Sequence, residues 1–120
     1  PPRSTLFPYT TLFRSEKLVL AHMGGWGQWN EVSSVLEKDY MKNVYLDTSS
    51  CIKKLNHNAS LPIEKFKKMV NIHGADRILF GSDSPWDDQK DAVDLIKECG
   101  FSEKATDAIL GKNAVTLLNL

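Results

Sequence analysis

The sequence predicts an α/β fold of parallel strands joined by crossover helices, and three observations carry that reading. Short apolar runs at residues 17–21, 42–48 and 77–80 each end in a cluster of polar residues, with glycine among them after the first and third. The segments between them carry apolar residues at helical spacing. The resulting order is strand, helix, strand, helix, strand, helix, helix, and strands that alternate with helices pair in parallel through right-handed crossovers.

The first fifteen residues stand apart. Residues 1–15 contain two Thr-Leu-Phe repeats, no acidic residue, and no period of two or 3.6 that would give them a face to bury. Thr5 to Ser15 resembles the conceptual translation of a common sequencing-adapter oligonucleotide. Residues 1–15 are therefore expected to be a non-native tail, the alternative being a natural, poorly ordered terminus, and residues 16–120 to be the C-terminal piece of a longer domain.

The first strand, 17–21, alternates Leu18, Leu20 and His22 on one side with Val19 and Ala21 on the other. Gly24, Gly25 and Gly27 follow, ending the strand and letting the backbone approach a neighbour closely. Residues 28–40 read as one helix with Trp29, Val32, Val35 and Leu36 inward. The second strand, 42–48, ends in Asp47-Thr48-Ser49, whose polar groups either touch substrate or form a turn.

A second helix follows, with Ser60 as N-cap, Pro62 and Glu64 in the first turn, a buried stripe of Ile63, Phe66, Met69, Val70 and Ile72, and Gly74 at its end. Lys65, Lys67 and Lys68 read as a solvated face. The third strand carries Ile78, Leu79 and Phe80, the run expected of a strand buried on both faces. It runs into Gly81-Ser82-Asp83-Ser84-Pro85-Trp86; alternation places Asp83 on the face of Leu79, with Gly81 leaving room beneath it. A helix over 88–99 has Ala92, Val93, Leu95 and Ile96 inward and Gly100 after it. Ser102 caps a short helix to 110, and a last one opens at 111–114.

Composition narrows the function. Fifteen basic and fifteen acidic side chains give zero net charge, so nothing favours nucleic acid. Cys51 and Cys99 form no Cys-x-x-Cys pair, which argues against a zinc knuckle or disulfide framework and for a reduced, cytoplasmic protein. No apolar run approaches the roughly 18 residues of a membrane span. Neither Gly-x-Gly-x-x-Gly nor a Walker-type Gly-Lys-Ser/Thr is present, which disfavours a nucleotide fold. The remaining architectures are a doubly wound sheet and part of a (β/α)8 barrel, whose sites lie at the carboxyl ends of the strands.

Four motifs decide between them: Leu18 to Gly25 (Leu-Val-Leu-Ala-His-Met-Gly-Gly), Asn43 to Ser49 (Asn-Val-Tyr-Leu-Asp-Thr-Ser), Asp76 to Trp86, and Ile109 to Ala114 (Ile-Leu-Gly-Lys-Asn-Ala). In this order and spacing the chain resembles the C-terminal part of the amidohydrolase-related TIM-barrel family. The resemblance implies the last three βα units of a metal-dependent hydrolase barrel, strands six to eight, with the first five absent. It implies one or two divalent metals at the barrel mouth, zinc first and manganese or iron as alternatives. On matching positions it makes His22 and Asp83 the metal ligands and catalytic groups: Asp83 takes a proton from metal-bound water that attacks a C–N or C–O bond, and His22 ligates or serves as acid/base. Trp26 and Trp86 are the candidate walls of a substrate pocket. For His22 the competing reading is a hydrogen-bonded core histidine, and for Asp83 a turn-initiating residue.

The family's His-x-His pair and its middle-strand ligands have no counterpart here. His57, in an Asn-His-Asn loop, and His73, before Gly74, do not replace them. The piece alone is therefore expected to be inactive, needing ligands from the N-terminal half. The expected partner is a small-molecule substrate, with no nucleic acid or membrane, and a homo-oligomer remains open for the intact protein. The rival functions are a metal-dependent decarboxylase of the same superfamily and a non-catalytic remnant.

Overall fold

A computed structural model describes residues 16–52 and 60–120. Residues 1–15 and His57 lie outside the described residues. Three parallel strands, β1 (Leu18–Leu20), β2 (Val44–Asp47) and β3 (Ile78–Leu79), form one sheet in the order β1-β2-β3. The register sets Leu20 against Leu46 and Leu46 against Ile78, so Leu46 lies at the centre of the sheet and is fully buried. Among the described residues are five α-helices, α1 (Trp29–Val35) and α2 (Ile63–His73) between the strands and α3 (Gln89–Glu98), α4 (Glu103–Asp107) and α5 (Asn113–Leu117) after them. Among the described residues no helix is long and apolar enough to cross a membrane.

The first crossover is not one helix over 28–40. It stops at Val35 and resumes as a 3-10 turn over Asp39–Met41. Two serine hydroxyls explain the break: Ser33 Oγ donates to Trp29 O and Ser34 Oγ to Glu31 O, both at 2.6 Å, and such bonds compete with the helical backbone. Leu36 and Met41 still reach the core.

Helix α2 begins after Pro62, whose carbonyl accepts the Phe66 N–H at 2.9 Å, so Pro62 rather than Ser60 occupies the cap position. Its buried stripe is Phe66, Met69, Val70 and His73, the i, i+3, i+4, i+7 set. Ile63 and Ile72 lie outside that set and are exposed, so a histidine takes the place expected of an isoleucine. His73 Nε2 donates to Val44 O at 2.8 Å, tying α2 to the start of β2, while Nδ1 is buried with no hydrogen-bond partner among the described residues.

Helix α3 is capped by the Asp88 carboxylate, which accepts the Asp91 N–H, and turns Leu95 and Ile96 inward, with Ala92 and Val93 half-buried. Ser102 caps α4 as expected, but α4 and α5 are not separate helices. A π turn over Ala108–Lys112 joins them and includes Gly111 without a break. Beside the wider turn, the buried Ile109 lends its carbonyl to the Phe80 N–H at 3.1 Å. One turn on, Asn113 Nδ2 donates to Ala75 O at 2.6 Å and Ile78 O at 2.8 Å. The C-terminal helix thus holds β3 at both ends and covers backbone that an edge strand would expose.

Candidate active site

The site is built where the strands end. His22 follows β1 in a 3-10 turn over His22–Gly24 in which His22 (φ 54) and Met23 (φ 52) are left-handed. Strand alternation therefore does not extend to His22; its orientation comes from three hydrogen bonds. Its backbone N–H donates to Asp47 Oδ1 at 3.0 Å, its carbonyl accepts the Trp29 indole N–H at 2.9 Å, and its ring Nδ1 lies 2.7 Å from Ser49 O. A carbonyl can only accept, so Nδ1 carries the proton and Nε2 keeps its lone pair. Gly24 (φ 94) is obligatory here: a Cβ would lie 2.9 Å from Val32 Cγ1.

The end of β2 organises both neighbours. Asp47 Oδ1 also accepts the Ser49 N–H at 2.9 Å and the Ser49 hydroxyl. Cys51, completely buried and close to the Asp47 charge, has its thiol pushed up to about 12, chiefly by burial, and is no nucleophile. On the other side, Gly81 approaches so closely that a Cβ would meet Ser49 Cβ at 3.2 Å. Gly81 makes room for β2, not for Asp83.

Beyond Gly81 the chain leaves the sheet. Strand β3 ends at Leu79, and Asp83 is left-handed (φ 59), so the face of Leu79 does not carry through to it. Asp83 is exposed, and its carbonyl accepts the Trp86 N–H at 2.9 Å in a turn. The turn-forming expectation for Asp83 thus describes its backbone and leaves its carboxylate toward solvent. Ser50 Oγ donates to Asp87 Oδ2 at 2.5 Å, which anchors this loop to the end of β2.

The structure brings the sequence-derived candidates together in two pairs. Trp26 meets His22 edge-on, ring centroids 5.5 Å apart, and its own ring is 46% exposed. Asp83 and Trp86 share the turn after β3, with Trp86 79% exposed. Among the described residues no hydrogen bond or ring contact joins the two pairs directly; Thr48, Ser49 and Ser50, which follow β2, bridge them. Trp86 walls no described pocket around His22.

For a divalent metal the donor chemistry fits and the donor number does not. A histidine ligand characteristically donates its second ring N–H to a carbonyl or carboxylate, which is what His22 Nδ1 does at Ser49 O. Asp83 offers an exposed carboxylate. Yet among the described residues no three His, Cys, Asp or Glu side chains group closely enough to hold a metal, and a zinc site takes at least three protein ligands. Sequence reasoning singled out Asp47 as a turn former or substrate contact, and its Asp-x-Ser turn is what the structure shows, but not its hold on His22; Asn113 was given no role beyond its place in the fourth motif.

The comparisons with known proteins bear on the family and the fold. The family model for amidohydrolases matches residues 11–120. No curated protein matches. Among solved structures, an amidohydrolase from Burkholderia multivorans with bound zinc superposes with a TM-score of 0.72 at 16% identity, over 94% of this chain and 47% of that one. A dihydroxybenzoic acid decarboxylase from Polaromonas sp. JS666, with bound manganese and the inhibitor 2-nitroresorcinol, gives 0.64 at 23% identity, over 87% of this chain and 34% of that one. A 2,6-dihydroxybenzoate decarboxylase from Rhizobium gives 0.68 at 21% identity, over 90% and 37%. The chain thus spans between a third and a half of these structures, and its sheet and helices reproduce the C-terminal part of their barrel. With the family model matched over nearly its whole length, the chain belongs to the amidohydrolase family.

Proposed function

We propose that this chain supplies His22 and Asp83 to a divalent-metal site completed by residues outside it, and that the complete barrel hydrolyses a C–N or C–O bond. The observation that carries the proposal is the His22 ring: Nδ1–H held on Ser49 O, and Nε2 with no hydrogen-bond partner among the described residues at the carboxyl end of a parallel strand. A divalent cation held there, zinc or alternatively manganese or iron, would supply Lewis acidity and lower the pKa of a water. His22 offers Nε2 as donor. The exposed Asp83 carboxylate takes up the proton of the attacking water. Trp26, beside His22, gives the substrate an apolar wall, and Trp86 is the candidate for a second.

A second reading, decarboxylation, is favoured by the half-exposed Trp26 ring next to His22, which offers a stacking face to a planar aromatic acid. Balanced charge supports a small-molecule substrate over nucleic acid, with no membrane partner proposed. The two free, buried cysteines support a reduced, cytoplasmic setting. Assembly of the complete protein as a homo-oligomer belongs to the same proposal.

Product analysis on a complete barrel carrying this chain, loaded with zinc or manganese, tests the reaction. Hydrolysis without carbon dioxide, reduced roughly 10²-fold or more in both His22→Ala and Asp83→Ala, supports the first reading. Carbon dioxide release without hydrolysis replaces it with the second, and full activity in both variants overturns the site.

A further inference from the structure

We infer that Asp47 is a positioning residue for His22, acting through backbone and neighbour to fix which ring nitrogen of His22 is free; the inference rests on the proposed role of His22. His22 occupies a backbone region that a residue bearing a Cβ adopts only when its surroundings impose it, and Met23 beside it does the same. The surroundings converge on one atom. Asp47 Oδ1 accepts from His22 N at 3.0 Å and Ser49 N at 2.9 Å and from the Ser49 hydroxyl, so one carboxylate oxygen ties together the turn that carries His22 and the residue its ring leans on.

The consequence reaches the ring through geometry. Because Asp47 holds the Ser49 amide, the Ser49 carbonyl is fixed 2.7 Å from His22 Nδ1. Because Asp47 takes the Ser49 hydroxyl proton, Ser49 Oγ, 3.3 Å from Nδ1, presents a lone pair to the ring instead of a donor. Both oxygens beside Nδ1 therefore demand a proton on it. Without Asp47, the hydroxyl is free to rotate and donate to Nδ1, and the turn loses the acceptor for its His22 N–H. The lone pair would then move from Nε2 to Nδ1, where it faces the protein. From the carboxyl end of β2, Asp47 thus determines what His22 can bind.

Nitrogen-15 NMR of the full chain at a pH where imidazole is neutral reads the tautomer directly, without metal or substrate. The expected result is the Nδ1–H form in the wild type and in Asp47→Asn, whose amide oxygen still accepts, and loss of that form in Asp47→Ala. Hydrogen exchange of the His22 amide should accelerate roughly tenfold or more in Asp47→Ala. An unchanged tautomer in a folded Asp47→Ala chain overturns the inference. Should that variant not fold, the wild type decides: an Nε2–H tautomer, or a His22 amide exchanging at the rate of an open one, overturns it equally. Loss of metal-dependent activity in a complete barrel has no bearing on the tautomer, so failure of the proposed reaction and failure of this inference are read separately.

Discussion

Thr48 and Gly81 are joined by a reciprocal pair of hydrogen bonds: the Thr48 hydroxyl donates to Gly81 O and accepts from Gly81 N, both at 3.1 Å. Backbone pairing between β2 and β3 ends with Thr48 N donating to Leu79 O at 3.0 Å. The side chain then continues the ladder one step further, so that the loops carrying His22 and Asp83 leave a common, closed sheet edge. Thr48 is 5% exposed, so its hydroxyl has no water to fall back on.

Thr48→Val keeps the shape of the side chain and removes the hydroxyl. Two polar groups of Gly81 lose their partner in one substitution, at about 1–3 kcal/mol in all. The urea midpoint should fall accordingly, while Thr48→Ser should recover most of the loss. A Thr48→Val chain as stable as the wild type would show that the sheet edge is held some other way.

Asn113 does for the other end of β3 what Thr48 does for this one. Its amide serves the carbonyls of Ala75 and Ile78 at once and is 8% exposed. Asn113→Leu should therefore cost about 2–4 kcal/mol despite its apolar gain, because two buried acceptors are left without a donor. Asn113→Asp should be no better, since a carboxylate has no proton to give. Equilibrium unfolding of both variants checks this.

The strands, their parallel pairing and the helical segments between them were legible in the sequence because apolar runs and helical spacing report burial directly. What could not be read was everything after a strand ends. Alternation aimed His22 with Leu20 and Asp83 with Leu79, but positive φ at both residues cancels the period of two. Periodicity likewise allotted the last inward position of α2 to Ile72, whereas the structure buries His73, which also satisfies Val44 O. The joined α4 and α5 escaped notice because a glycine inside a widened helical turn looks, in sequence, like one that ends a helix.

That buried histidine makes stability depend on pH. Burial holds the His73 imidazole below its ordinary range; the Val44 carbonyl and Asp76 oppose this, and Arg77 reinforces it. The neutral form is thus favoured in the folded chain, and the unfolded chain takes up the proton first as pH falls. Stability should be full above the unfolded value of about 6.5 and decline as the pH drops through it. The urea midpoint measured between pH 8 and pH 5 should show that decline (~1 proton per molecule), and His73→Gln should remove it. A wild-type midpoint flat across the range would contradict the burial argument.

The outer edge of β1 carries the last consequence. β2 is paired on both sides, and β3 is held by α5 and the π turn, but β1 pairs only with β2 among the described residues. Leu18 is 55% exposed and Val19 43%, so this edge offers apolar side chains and, among the described residues, no strand beside it. Such an edge recruits another strand, and in a concentrated solution of this chain the available strand is the β1 of a second copy. Sedimentation of the isolated chain should therefore show concentration-dependent self-association. Val19→Lys, which places a charge on the edge, should suppress it without changing the unfolding free energy by more than about 0.5 kcal/mol, as expected of an exposed position. A monomeric wild type with a cooperative melt would show the edge to be already protected, and Val19→Lys would then change nothing.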